Sequence, residues 1–272
     1  YASGETKGYF LYSNNKLTID ANYSYTNINA YAEAEHEAHH PLNNEKVAYY
    51  DLTTNRNKGH SHQYRAGLDY QFAANHALNV AYTGSWTSYK SNNNTTGNSL
   101  AKQSSDGHNY LHNVDLYYNL PFGLQVTAAY THYEAPKDQL LDGKLYETEK
   151  NLIASSRQKI NKWMAAADQT HTLQNGWRLS YGAKAQFANN NSFQTTQTAN
   201  GEVLPEATSG VDIDERIINA YFGFNKQIGK NISIDASVAA ENFHTPQWNE
   251  WRVYPTLNAI WNVNDHHLLN LS

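Results

Sequence analysis

Apolar and polar residues alternate with a period of two over stretches of about ten residues, and that pattern leaves few folds open. Leu17, Ile19, Ala21, Tyr23 and Tyr25 fall on one side of an extended chain, with Thr18, Asp20, Asn22, Ser24 and Thr26 on the other. Trp177, Leu179, Tyr181, Ala183, Ala185 and Phe187 oppose Arg178, Ser180, Gly182, Lys184 and Gln186 in the same way. Ile232, Ile234, Ala236, Val238 and Ala240 do so against Ser233, Asp235, Ser237, Ala239 and Glu241. No helix has that period. Weaker versions occupy about 62–73, 77–89, 108–120, 124–133, 158–173, 212–226 and 250–263, with a short strand near 5–13 and a last one from about 267. The chain therefore reads as about twelve strands, the last incomplete, with the alternating segments of the length that a tilted membrane strand needs.

The connections sort by length along the chain. Asn14-Asn15-Lys16, Ala74-Asn75-His76, Pro121-Phe122-Gly123, Gln174-Asn175-Gly176, Gly229-Lys230-Asn231 and Asn264-Asp265-His266 carry tight-turn residues. Between them lie longer polar segments at about 37–61, 90–107, 134–157 and 188–211, and a shorter one at 244–249. Asn92-Asn93-Asn94 and Asn189-Asn190-Asn191 read as flexible loop tips. Short turns at one end and long loops at the other are the asymmetry of an outer-membrane barrel. A soluble β-sandwich also alternates, but nothing in it sorts loops onto one end. Tyr25, Trp86, Tyr89, Tyr130, Tyr133, Trp177 and Trp261 stand near strand ends, where interfacial aromatic girdles form.

Composition agrees with a wall of strands. Aromatic residues reach 13%, with 21 Tyr and 6 Trp. Mean hydropathy is −0.75, and no apolar stretch is long enough for a membrane helix. A barrel keeps such a low value because only every second residue faces lipid. The balance of 20 basic and 25 acidic groups, without a basic run, argues against nucleic acid as a partner. Cysteine is absent. Residues Tyr1 to Gly4 lack the basic and apolar regions of a signal peptide, so residues 1–272 read as one barrel segment without signal peptide or plug.

Near the end of the chain, Trp251-Arg252-Val253-Tyr254-Pro255-Thr256-Leu257-Asn258-Ala259 is followed by Asn264-Asp265-His266-His267-Leu268-Leu269-Asn270-Leu271-Ser272. This hairpin resembles one that recurs in TonB-dependent receptor-like proteins, within the outer membrane β-barrel family of Gram-negative bacteria. The resemblance implies an all-β, antiparallel transmembrane barrel in the cell outer membrane, with outer-membrane lipid around it and this chain forming part of a larger wall. It also implies a plug domain, a segment that contacts the TonB machinery, and energised uptake of a small-molecule nutrient whose identity loop residues do not encode. Pro255 removes a ladder donor and is expected at a bulge or at the strand's outer end.

Glu33-Ala34-Glu35-His36-Glu37-Ala38-His39-His40, with His60 and His62 farther on, is the richest cluster of ligating side chains. Metal capture is one reading, through a returning loop that joins His36, His40 and His62; a solvated polar loop is the other. A helix pairs His36 with His40, whereas a strand lines up Glu33, Glu35, Glu37 and His39. Asp20, Arg65, Asp69, Asp115, Arg178, Lys184, Asp235 and Glu241 fall on polar faces and are expected to line the lumen. Asp115 and His112 lie on opposite faces of a strand and form no dyad. His108, His132 and His171 are the residues a hydrolase would recruit at the rim, and no catalytic, metal or cofactor residue is assigned. The alternatives to uptake are a passive structural or adhesive barrel and an outer-membrane enzyme; the expectation is a non-enzyme.

Overall fold

The computed structural model describes the backbone of residues 3–42, 45–145, 148–264 and 267–272, and their side chains apart from 39–42, 45–47, 49, 144–145, 148–150 and 264. Twelve strands follow one another in chain order: β1 Gly4–Ser13, β2 Leu17–Leu42, β3 Glu45–Ala73, β4 His76–Gly97, β5 Ser99–Asn119, β6 Leu124–Leu145, β7 Thr148–Thr172, β8 Trp177–Thr198, β9 Ser209–Ile228, β10 Ile232–Thr245, β11 Trp248–Asn264 and β12 His267–Leu271. Each pairs antiparallel with the next in a single twelve-stranded sheet. The only helical pieces among the described residues are two three-residue 3-10 turns, Gln174–Gly176 and Pro205–Ala207.

No apolar side chain is buried among the described residues; those that are buried include Asp51, Gln169 and Asn242. A water-soluble sheet must cover one face with a second layer, and this sheet has none. The register shows what stands in its place. Leu17 opposes Tyr70, and the ladder continues through Leu78, Tyr118, Val126, Ala167, Ala183 and Ala220 to Ala240. Directly paired residues share a face, so one side of the whole sheet is apolar. Lipid is the medium that satisfies such a face.

The same ladder measures the tilt. It leaves β2 at its first residue and enters β10 eight residues beyond Ile232. Eight residues are about 26 Å of strand and eight inter-strand spacings are about 38 Å, which gives a tilt of about 35°. Barrel walls have that inclination.

The turns at one end are short, as their sequences predict. Asn14 Oδ1 accepts from the amides of Lys16 and Leu17 at 2.9 Å each. Asn175 and Gly176 have φ of 74° and 72°, the paired left-handed conformation of a tight hairpin. Residues 265–266 lie outside the described residues.

The predicted long loops are largely strand. β2 and β3 run for 26 and 29 residues through the segment expected as a loop at 37–61. The expected loops at 90–107 and 134–157 are likewise strand, paired up to Thr95 with Ala101 and Leu145 with Thr148. Among the described residues only 199–208 keeps an irregular connection of some length. Asn92-Asn93-Asn94 oppose Arg56, Asn55 and Thr54, and Asn189-Asn190-Asn191 oppose Asn161, Ile160 and Lys159, so neither run is a loop tip. Backbone pairing continues where both faces meet water, and polar cross-strand pairs such as Thr53 with Thr95 (3.0 Å) accompany it.

Pro255 corrects a second expectation. It lies inside β11, opposite Val238, with no register shift there. The Asn262 amide donates to Asn231 on the β10 side. Successive residues alternate in direction, so position 255 points away from β10, and Pro255 removes no bond from that ladder.

Candidate functional site

The polar face is the first surface to consider, because any passage through a barrel runs along it. Asp20, Arg65, Asp69, Asp115, Arg178, Lys184, Asp235 and Glu241 all lie on it, as the register of their strands requires. Arg65 forms an ion pair with Asp20 across β2 and β3. Asp69 accepts from Asn79, and Asp115 from Asn113. Thr131 donates to Asn113 Oδ1 at 2.6 Å, joining β5 to β6.

Farther round, the Tyr221 hydroxyl reaches across β8 to donate to Asp168 Oδ1 at 2.8 Å. Gly182 lies between them in the ladder and leaves the ring room to cross. A Cβ there would stand 2.7 Å from Tyr221 Cε1. Sequence reading missed this bridge, since it joins residues 53 apart; a glycine inside an alternating strand was its one visible sign.

The aromatic positions divide. Tyr25, Trp86, Tyr130, Trp177 and Trp261 share the apolar face, as expected of a girdle. Tyr89 and Tyr133 belong instead to the polar face. The Tyr89 ring leans over Gly107, where an added Cβ would meet its Cζ at 2.8 Å. Beyond the girdle Lys90 is held by Asp106 at 2.8 Å, and that hydrogen bond raises its pKa.

The His-rich segment does not form the expected constellation. His36 opposes Asp51 and His62 opposes Tyr25, so they stand eleven residues apart along the β2–β3 ladder. That is about 36 Å, far outside any shared coordination sphere. The segment is strand, which also removes the helical pairing of His36 with His40. Glu33, Glu35 and Glu37 share a strand face, and the Tyr31 hydroxyl donates to Glu33. The side chains of His39 and His40 lie outside the described residues. Among the described residues no three His, Asp or Glu side chains converge on a metal position.

The histidines considered for catalysis all face the apolar side. His132 Nδ1 bonds Asn161 Oδ1 at 2.7 Å, and its Nε2 lies 3.9 Å from Glu134, whose carboxylate Arg157 engages at 2.6 Å. His171 Nε2 bonds the Tyr181 hydroxyl at 2.9 Å. His108 packs edge-on against Tyr110. His112 is on the apolar face and Asp115 on the polar one, as the strand period requires.

Known proteins give the following likenesses. The profile of the Outer membrane protein beta-barrel family matches residues 123–272, more than half of the chain. Among solved structures, the ferric citrate transporter FecA in its unliganded form aligns with 97% of this chain and 42% of its own, at 8% identity and a TM-score of 0.43. The translocator domain of the autotransporter NalP from Neisseria meningitidis aligns with 93% of this chain and 79% of its own, at 8% identity and a TM-score of 0.30. This chain thus spans less than half the length of the ferric citrate transporter. No curated protein sequence matches it.

Proposed function

Because the chain belongs to the outer membrane protein beta-barrel family, its apolar face stands against outer-membrane lipid, and we propose that it is part of the wall of a TonB-dependent receptor for a small-molecule nutrient. The observation that carries this reading is the open sheet. Among the described residues β1 and β12 each pair on one side only. A free edge in lipid leaves backbone groups that nothing satisfies, so the complete wall needs further strands. A barrel of more than twelve strands encloses a lumen too wide for its own side chains to fill, and the largest such transporters are plugged. The polar face, with its hydrogen-bonded carboxylates and Arg65, is the surface on which a plug would seat.

In this reading the chain contributes no catalytic step and holds no metal or cofactor; substrate capture belongs to the outer hairpins and the plug. The test uses the full-length protein. Reconstituted in planar bilayers it should pass little current, and a photo-crosslinker at Asn113 should yield an intramolecular product with a segment outside the barrel. A steady open conductance, with no such product, would identify a passive barrel and sink the proposal. Uptake that persists in cells without TonB would do the same.

A further inference from the structure

Ser85, Leu111, Tyr133, Ile160 and Asn190 form one row across β4 to β8. Ser85 is nine residues beyond His76 and Asn190 thirteen beyond Trp177, so above this row the hairpins leave the membrane and both faces meet water. Their charges nevertheless sort onto one face. Arg56, Lys58, Lys90, Asp106, Asp138 and Arg157 continue the side that faces lipid lower down. The lumen side of the same strands carries Asn57, Asn93, Gln103, Gln139, Gln158 and Gln194, with serines and threonines between them. Among the described side chains of β3 to β9 on that side above the row, only Lys137 and Asp51 are charged, and the Asp51 carboxylate is taken up by the Ser99 amide.

The neutral groups of the lumen side bond to one another. Ser61 and Thr87 meet at 2.9 Å, Gln139 Nε2 donates to Ser105 Oγ at 3.3 Å, and Asn93 Nδ2 donates to Gln103 Oε1 at 3.4 Å. A carboxamide has more donors and lone pairs than one such bond uses, which leaves capacity for a ligand. Hydration alone does not account for the partition, because the opposite side of the same strands is equally wet and carries the charges. A neutral ligand does account for it. A charge stripped of water by such a ligand gains no partner, whereas an amide or hydroxyl exchanges hydrogen bonds with water for hydrogen bonds with the ligand. The surface is also extended: β3 to β8 span five inter-strand spacings, about 24 Å, and Thr87 to Thr95 span eight residues, about 26 Å. Tyr89 and Tyr133 stand in its lower part on the same side, next to the small Gly107.

We propose that the lumen side of the outer hairpins binds a neutral oligosaccharide. Sugar hydroxyls donate and accept in turn, as carboxamides do, and the flat rings of Tyr89 and Tyr133 complement the apolar face of a sugar. A charged chelate or an acidic or basic peptide would meet only Lys137 as a counter-charge. The binding surface stands on the charge partition; that the bound sugar is cargo rests on the uptake reading above.

The experiment presents tagged full-length protein in detergent to an array of immobilised neutral hexasaccharides, uronic-acid hexasaccharides, neutral peptides and ferric chelates. Neutral hexasaccharides should be retained in preference to the other three. Ser91→Asp places a carboxylate on the lumen side and should weaken binding of the best-retained neutral sugar about tenfold. Asn92→Asp, one residue on and facing outward, should leave binding unchanged. Retained β-sheet circular dichroism shows that each variant folds. Preference for acidic sugars, peptides or chelates, or retention of no neutral sugar, overturns the proposal. An equal loss in the two aspartate variants shows that overall charge, not this face, is responsible, and overturns it as well. A neutral sugar that binds here but is taken up equally by cells without TonB upholds the binding surface and sinks the uptake reading instead.

Discussion

Gly182 and Ala183 are neighbours in the chain and face different solvents, so one added group has different consequences at each. Ala183 lies six residues beyond Trp177 at the start of β8, near the middle of a membrane crossing, and it continues the apolar ladder. Ala183→Arg should destabilise the folded protein in lipid vesicles by about 2–4 kcal/mol, whereas Ser180→Arg, on the polar face, should cost little. Denaturant titration of both variants reads the difference, and equal penalties would show that the faces are wrongly assigned. Gly182→Ala acts by sterics instead. Its Cβ meets Tyr221 Cε1 at 2.7 Å and Ala167 O at 2.8 Å, so the Tyr221–Asp168 bridge must shift. The cost should be about 1–3 kcal/mol. In a double-mutant cycle Tyr221→Phe should add less to Gly182→Ala than it costs alone, because the first substitution has already displaced the hydroxyl. Full additivity would mean that the glycine makes no room for that ring.

At the scale of the element, the outer hairpins are ladders held at their tips. Asp51 on β3 is buried, and its Oδ1 accepts from the Ser99 amide at 2.7 Å. Asn98 Oδ1 in turn accepts from the Tyr50 amide at 2.7 Å, and the Asn98 amide donates to Tyr50 O at 2.9 Å. The β4–β5 tip is thereby clamped onto its neighbour. Asp51→Ala removes a charged acceptor whose bonds contribute about 1.5–3 kcal/mol. Hydrogen exchange at Ser99 should speed up by about ten- to a hundredfold while the denaturation midpoint holds, because the tip opens locally; unchanged exchange would refute the clamp. Such ladders also mark where sequence reading stopped. Alternation reports a sheet standing between two media, so it located the crossing parts of the strands and assigned Asp20, Arg65, Lys184 and Glu241 to the polar face. Beyond the girdle both faces are wet. There Asn92 to Asn94 look like loop residues although each is paired with β3. The charge partition of these hairpins was hidden for the same reason, since a segment read as a loop has no two faces to compare.

Across the whole molecule the two ends of the sheet differ in kind. Each strand crosses once, so the turns at 14–16, 74–75, 120–123, 174–176 and 229–231 share one end. The β2–β3, β4–β5, β6–β7 and β8–β9 hairpins extend from the other, with strands of 20 to 29 residues where a crossing needs about ten. Barrels of this kind keep short turns in the periplasm and long excursions outside. The chain contains no cysteine, so single labels are clean. Asn200→Cys sits in the exposed 199–208 connection and Asn75→Cys in the exposed turn before β4. On intact cells a membrane-impermeant maleimide should label Asn200→Cys alone, and Asn75→Cys should react only after the outer membrane is permeabilised. The reverse pattern would invert the barrel and put the long hairpins in the periplasm.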